Sequence, residues 1–214
     1  MLIRITLLAL ALLLSACSDP KAASTGNFKV AIQKMLDGAY PKCFVQATFP
    51  KTIDNNYDFS LKELNALTTA GLLSHKVETQ EIEEKVGIFN NRVQKKTLVK
   101  SVYSLTEEGQ KFYRPADEPK KKEGGFCFGK ATINEVTEFT EPADAGGVRS
   151  SRVTYTYQIS DIPAWAKQPE VLAAIGGRLT GAVEAEKTPA KDMDMLVLTN
   201  NGWVSQMGAM LHAF

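Results

Sequence analysis

The stretch RVTYTYQI, residues 152–159, decides what kind of fold the second half of the chain can form. Its large apolar and aromatic side chains occupy every second position: Val153, Tyr155, Tyr157 and Ile159. Polar or charged side chains fill the positions between them. A period of two is typical of a β-strand with one buried face and one face in water. This stretch therefore predicts a sheet that is covered on one side.

The segments around this stretch extend the predicted sheet. Residues 126–140 and 148–160 are two long strand-like segments joined by a turn, 141–147, rich in Pro, Asp and Gly. Further along, Asn201-Gly202 separates two short strands, 193–198 and 203–210, and is a strong hairpin signal. We therefore expect an antiparallel sheet.

A helical insertion interrupts this sheet after Asp161. Pro163 and Pro169 stand where the first turn of a helix tolerates a residue without an N–H. Trp165 lies between them, and two interpretations of it stay open. It fills the core with one polar edge, or it forms a binding lip for a peptide or glycan. A connection rich in Gly, Lys and Glu then leads to the hairpin.

The first half of the chain begins with a helix predicted from Asn27 to Gly38, followed by a strand near residues 43–49. A second helix is predicted from Ser60, which has Glu63 at capping-box spacing, to Gly71. Strands at 72–80 and 93–105 flank a charged bend at 81–92. Thr106 then caps a last short helix.

Two spaced patterns in this half carry a family resemblance. Leu64-x-x-Leu67-x-x-x-Gly71-Leu72, followed by Tyr103-x-Leu105-Thr106-x-x-Gly109, resembles the winged-helix regulators of bacteria. In that family a helix, a two-stranded wing and a turn of this kind follow in the same order. The resemblance covers roughly a quarter to a third of residues 17–214. It implies a winged-helix-like unit over residues 27–114.

DNA reading is not expected of this unit. In the DNA-binding members of the family, the helix before the wing presents basic and amide groups to the bases. Here residues 58–72 carry one basic side chain, Lys62, against Asp58 and Glu63. The bend and strands of the wing carry both signs of charge, which favours a salt-bridged, solvated ribbon. No nucleic-acid partner is predicted.

The amino terminus carries the second resemblance. Arg4 precedes an apolar run, residues 6–14, that is too short to span a bilayer, and Ser15-Ala16-Cys17 follows. This pattern resembles the lipobox of bacterial lipoproteins. It implies a signal peptide at 1–16, fatty acylation (palmitate) at Cys17 and a lipidated tether at 17–26. An ordinary secretory signal with an accidental cysteine, or a short buried helix, stays an alternative.

Ser18 follows the cysteine where inner-membrane lipoproteins commonly have aspartate. The resemblance therefore implies the outer membrane, with the body on its periplasmic face. Loss of Arg4 with the signal would balance the remaining basic side chains against the 24 acidic ones. Such a neutral chain has no general attraction for polyanions.

Cys43 and Cys127 remain once Cys17 is lipidated, and an oxidising periplasm favours a disulfide between them. Two buried thiols or a redox site are the alternatives, although C-x-x-C spacing is absent. Both cysteines begin the same short pattern, Cys-Phe-x-x-Ala-Thr. Either this is chance, or the two strands lie side by side with their cysteines bonded.

Nothing in the sequence predicts chemistry. His75 and His212 have no partner at metal-ligand spacing, no Gly-x-Ser-x-Gly elbow occurs, and Asp192 and Asp194 are expected in solvent. We therefore predict no metal, no cofactor and no enzymatic activity. The alternative is a hydrolase or small-ligand carrier with a pocket between the two units.

The prediction as a whole is an α+β protein. A winged-helix-like unit (27–114) and a linker (115–125) precede an antiparallel β unit with a helical insertion (126–214). Its predicted role is that of a non-catalytic module of the cell envelope that binds a protein partner and is held to the membrane through Cys17.

Overall fold

The computed structural model describes residues 19–53, 60–86, 92–116 and 123–207. The predicted signal peptide, the lipidation site Cys17, Asp58, His212 and residues 117–122 of the predicted linker lie outside these ranges.

The described helices are α1 Thr25–Ala39, α2 Leu61–Thr69, α3 Glu107–Phe112, α4 Pro169–Ile175 and α5 Gly177–Lys187, with one 3-10 turn at Ala164–Lys167. The strands are β1 Lys42–Gln46, β2 Lys51–Ile53, β3 Leu73–Val86, β4 Arg92–Leu105, β5 Tyr113–Arg114, β6 Gly125–Phe128, β7 Lys130–Phe139, β8 Ala143–Ala145, β9 Val148–Ser160, β10 Ala190–Thr199 and β11 Gly202–Ser205. Every described strand pair is antiparallel, so the predicted α+β class with antiparallel sheets is confirmed.

The largest sheet has the strand order β11-β10-β9-β7, and β8 pairs with β9. Its centre is the stretch whose alternation predicted it. Val153, Tyr155 and Ile159 are buried, as expected, whereas Tyr157 is only half-buried. The predicted Gly, Lys and Glu connection is helix α5, which packs against β9.

Helix α1 covers the same face of this sheet and packs on both β7 and β11. Phe28 is fully buried between Phe139 and Trp203, with both ring pairs edge to face at 5.0 Å. The helix begins two residues earlier than Asn27, because the Ser24 hydroxyl accepts the N–H of Asn27 and caps it.

A second sheet, β1-β6-β5, joins the two halves of the chain. Cys43 stands directly opposite Cys127 and the two form a disulfide, which confirms the predicted pairing. Phe44 and Phe128 stack at 4.7 Å. The shared Cys-Phe pattern therefore marks two strands that lie side by side. In this sheet, residues before the predicted linker pair directly with residues at its end and after it.

The third sheet, β2-β4-β3, is dominated by a long ribbon in which β3 and β4 each have 14 residues. The prediction of a charged bend at 81–92 is wrong about where the bend begins, because β3 continues to Val86. Opposite charges across the ribbon explain the difference. Glu83 faces Lys95, and Glu78 faces Lys100.

The turn from β4 into α3 explains the second spaced pattern. Thr106 accepts the N–H of Gly109 at 2.9 Å and donates to the carbonyl of Gly71 at 2.7 Å. A Cβ at Gly109 would overlap the carbonyl of Leu72. Tyr103 is buried and donates its hydroxyl to Asn65 Oδ1 at 2.7 Å. The pattern is thus a packing motif that fastens α3 and β4 to the end of α2.

The buried residues of all three sheets form one continuous apolar cluster. Among the described helices, none combines the length and apolarity needed to cross a bilayer.

Candidate functional site

Trp165, the candidate binding residue, is part of the core. Only 6% of its surface is exposed, and its ring packs edge to face with Phe112, Phe126 and Phe128. Its Nε1 has no hydrogen-bond partner among the described residues. The surroundings correspond to the core interpretation of this residue.

His75 stacks on the ring of Tyr103 with centroids 4.6 Å apart. In the described ranges no three His, Cys, Asp or Glu side chains converge in a way that could hold a metal ion. The expectation that the protein has no metal, no cofactor and no catalytic site stays a prediction.

Asp194 departs from the sequence expectation. Asp192 is exposed, as expected, but the Asp194 side chain is buried with 6% of its surface exposed. The prediction that Asp194 lies in solvent is wrong, because β10 pairs with β9 so that Asp194 stands beside Val153 on the buried face.

The surroundings of Asp194 shift its proton equilibrium. Burial raises the pKa of the Asp194 carboxyl, and the nearby charge of Asp192 adds to the rise. The Ser205 hydroxyl and the N–H of Met195, which donates to Oδ1 at 2.7 Å, oppose it. Burial is the largest of these effects.

The same pairing places methionines in water. Met193 stands opposite Thr154 and Met195 opposite Arg152, and residues opposite each other share a face of a sheet. Met193 is 53% exposed, Met195 39% and Met207, just beyond β11, 57%. We call Met193, Met195, Met207 and Arg152 the methionine face.

Two shallow depressions of about 280 and 230 Å³ adjoin on the methionine face. The larger one is lined by Arg152, Met193, Asp194, Met195, Gln206 and Met207. The smaller one is lined by Glu138, Phe139, Thr140, Arg152, Thr154 and Met193. Arg152 and Met193 belong to both, so the depressions form one continuous surface.

Arg152 is the cation of this surface. It makes no ion pair with any carboxylate that the structure describes. The surface therefore combines flexible, polarisable apolar side chains with one available guanidinium, a group suited to binding a carboxylate in a forked geometry.

The ribbon is the other large exposed feature, with Val77, Val93 and Val99 in solvent. Glu78 stands opposite Lys100 and Glu83 opposite Lys95, and Lys96 forms an ion pair with Glu84 at 3.6 Å. Val77 and Val99 are diagonal neighbours on one face of the ribbon, and Val93 lies farther along the same face. A few exposed valines among charged and polar residues are ordinary for a protein surface.

Comparison with known proteins adds no assignment: no family model matches the chain, and no curated protein or solved structure matches it significantly.

Sequence reasoning missed the methionine face, although a signal for it was present. The run Asp192-Met193-Asp194-Met195 alternates acid and methionine, so one kind of side chain must point inward. Local hydropathy favours methionine inside, and the structure has the opposite arrangement.

Proposed function

We propose that this chain is an exported lipoprotein, acylated at Cys17, that binds an envelope protein through the methionine face. The role is non-catalytic, and the body lies on the periplasmic side of the outer membrane.

The Cys43–Cys127 disulfide supports the export part of the proposal. Structural disulfides persist in oxidising compartments and are rare where thiols are kept reduced. The bond links two cysteines 84 positions apart in sequence, of which Cys127 is buried and Cys43 partly buried.

The inverted alternation of β10 is the observation that carries the binding part. A buried carboxylate with exposed methionines is the opposite of what burial free energy favours. Slipping the strand by one residue would exchange the two sets of side chains. Conflicts between local preference and fold concentrate at functional sites.

The chemistry of the surface defines its partner. We propose a protein segment with apolar side chains on both sides of one carboxylate, which pairs with Arg152. The methionines adapt to the apolar part because their side chains are unbranched and flexible.

Residues 27–114 serve, in this proposal, as a winged-helix-like scaffold. The order α2, ribbon, α3 is the order that the family resemblance implies. Helix α2 packs against α4, and Lys62 Nζ donates to the carbonyl of Ala173 at 2.6 Å. These contacts occupy the helix that would read a DNA groove, so they support a scaffold role.

Site-specific photo-crosslinking in the host cells tests the partner surface. A photoreactive amino acid replaces Met195 in one variant and Val99, on the ribbon, in the matched control, since both side chains are exposed. We expect one envelope protein, identified by mass spectrometry, to crosslink at position 195 only. Arg152→Glu should abolish this product while leaving the thermal midpoint within a few degrees of wild type.

Equal crosslinking from both positions, or a product unaffected by Arg152→Glu, would contradict the proposed surface.

The export part has its own test, the intact mass of the protein from the membrane fraction measured without reductant. A mass with acyl chains at an amino-terminal Cys17 and without two thiol protons is expected. An unprocessed, reduced chain contradicts export.

A further inference from the structure

The residues that follow Cys17 are attached to the folded body almost at once. Lys21 donates its backbone N–H to the Asp19 carboxylate at 2.9 Å, and Asn27 Nδ2 donates to the carbonyls of Asp19 and Ala22, each at 2.8 Å. The predicted tether, residues 17–26, is therefore held in place from Asp19 onward.

The hairpin between β10 and β11 provides the second half of this attachment. Trp203 Nε1 donates to the carbonyls of Lys21 and Ala22, both at 3.2 Å. A Cβ at Gly202 would lie 2.9 Å from the carbonyl oxygen of Pro20, so the hairpin and the segment are in close contact. Because Trp203 also packs on Phe28, the attachment is continuous with the core.

Only Ser18 separates Cys17 from the attached segment. Two residue steps extend at most about 7 Å. An acylated Cys17 has its lipid in the membrane, and Gly202 contacts Pro20, one step beyond Asp19, so the Gly202 end of the hairpin must lie within roughly 15 Å of Cys17 and thus close to the lipid headgroups.

The strand pairing shows what else lies at this end of the sheet. Val197 stands opposite Ser150, and Ala145 opposite Val148, so the turns of the β10–β11 and β8–β9 hairpins share one end. The opposite end holds the Lys130 and Ser160 pair. Strand β9 runs between the two ends for 13 residues, about 40 Å.

We infer that the end of the sheet formed by these two hairpin turns is the face that rests on the lipid bilayer. This inference rests on the proposed acylation of Cys17 and adds to it a fixed orientation of the body. The sheet stands away from the membrane, and its Ser160 end, next to the helical insertion, lies farthest from the lipid.

Charge is not what holds this end to the membrane. Arg149 at the β8–β9 turn stands opposite Asp144, and Lys21 has Asp19 beside it. Val148, 47% exposed, adds an apolar side chain at the turn. The orientation should therefore persist on neutral phosphatidylcholine and at high salt.

Spin labels at the two ends of the sheet test the inference. The acylated protein carries a nitroxide at Asn201→Cys in one variant and at Ser160→Cys in the other, because both positions are exposed. Each is reconstituted in phosphatidylcholine vesicles containing a lipid with a nickel-chelating headgroup. We expect at least several-fold stronger relaxation by nickel at position 201 than at position 160.

A matched variant isolates the cause. Ten Gly and Ser residues inserted between Ser18 and Asp19 leave the acylation site intact but free the body. The difference between positions 201 and 160 should then largely disappear. Persistence of the difference in this variant would overturn the argument from the short connection.

The outcomes separate this inference from the proposed function. Equal relaxation at the two positions in protein whose mass includes the acyl chains overturns the orientation alone. A mass without acyl chains overturns both.

Discussion

At the scale of single residues, two positions control how the fold closes. Gly109 lets α3 approach the backbone of Leu72, and Asp194 places a carboxylate inside the sheet. A glycine is required at position 109 because a side chain would not fit beside Leu72. Burial of Asp194 is unfavourable because its carboxylate loses hydration.

Gly109→Ala should destabilise the protein by about 3 kcal/mol, the upper range for overpacking a site that cannot relax. The added methyl group would overlap the Leu72 carbonyl, a backbone group immediately before β3 that also accepts the N–H of Thr106. Urea unfolding measures the loss. Gly181→Ala is the matched control, because Gly181 lies in α5 with open space around it. That change should be neutral or stabilising by up to about 1 kcal/mol. Equal effects of the two substitutions would show that the contact is unimportant.

Asp194→Asn should change the pH dependence of stability. The folded-state pKa of Asp194 is raised, so the fold binds its proton more tightly than the unfolded chain does. The wild type therefore loses stability from this group as pH rises from the unfolded pKa through the folded one. Above that window the Asp194→Asn variant should be more stable than the wild type by a constant amount. Urea midpoints from pH 3 to 8 give the difference, with Asp144→Asn as the exposed control, because the charge of Asp144 is not among those that act on Asp194. A difference that does not vary with pH would contradict the assignment.

Comparison of β9 with β10 shows what sequence can predict at this scale. In residues 152–159 of β9 all the large apolar side chains occupy the odd-numbered positions, so the buried face follows directly from the alternation. In β10, the even-numbered positions hold Leu196 and the two aspartates. The odd-numbered positions hold Met193, Met195 and Val197, so each set includes apolar residues. Only pairing with β9, a non-local contact, decides between them.

At the scale of elements, the ribbon and α5 show two different limits of local reasoning. The acids at 81–84 suggested a bend because such residues are depleted in strands, but cross-strand lysines stabilise them there. Helix α5 was missed because Gly177 and Gly181 resemble loop residues. Its buried Leu179, Ala182 and Ala185 form the stripe that packs on β9.

The β1 and β6 pair supports a prediction about the disulfide. The double variant Cys43→Ala, Cys127→Ala should lose about 4 kcal/mol, the value expected for closing a loop of 84 residues in the unfolded chain. Guanidinium unfolding gives the loss directly. Reductant should destabilise the wild type by a comparable amount and leave the variant unchanged. A loss below about 1 kcal/mol would mean that the loop-closure account does not apply here.

At the scale of the whole molecule, the sequence correctly predicted the class of fold and the disulfide. It could not predict how the predicted units share elements. Helix α1, assigned by position to the first unit, packs on β7 and β11, and β1 pairs with β6. The sequence of a segment does not show which distant segment it packs against, because the same helix or strand could form in many other folds.

The contact of Trp203 with Lys21 and Ala22 has a kinetic consequence. Trp203 is separated from Lys21 by 182 positions in the sequence and from Ala22 by 181. Phe28 is fully enclosed only once Trp203 packs against it. During synthesis, which starts at the amino terminus, the face of α1 that carries Phe28 therefore stays exposed until β11 has been made. Folding that waits for such distant contacts is slow, and the incomplete chain is prone to aggregation until β11 is in place.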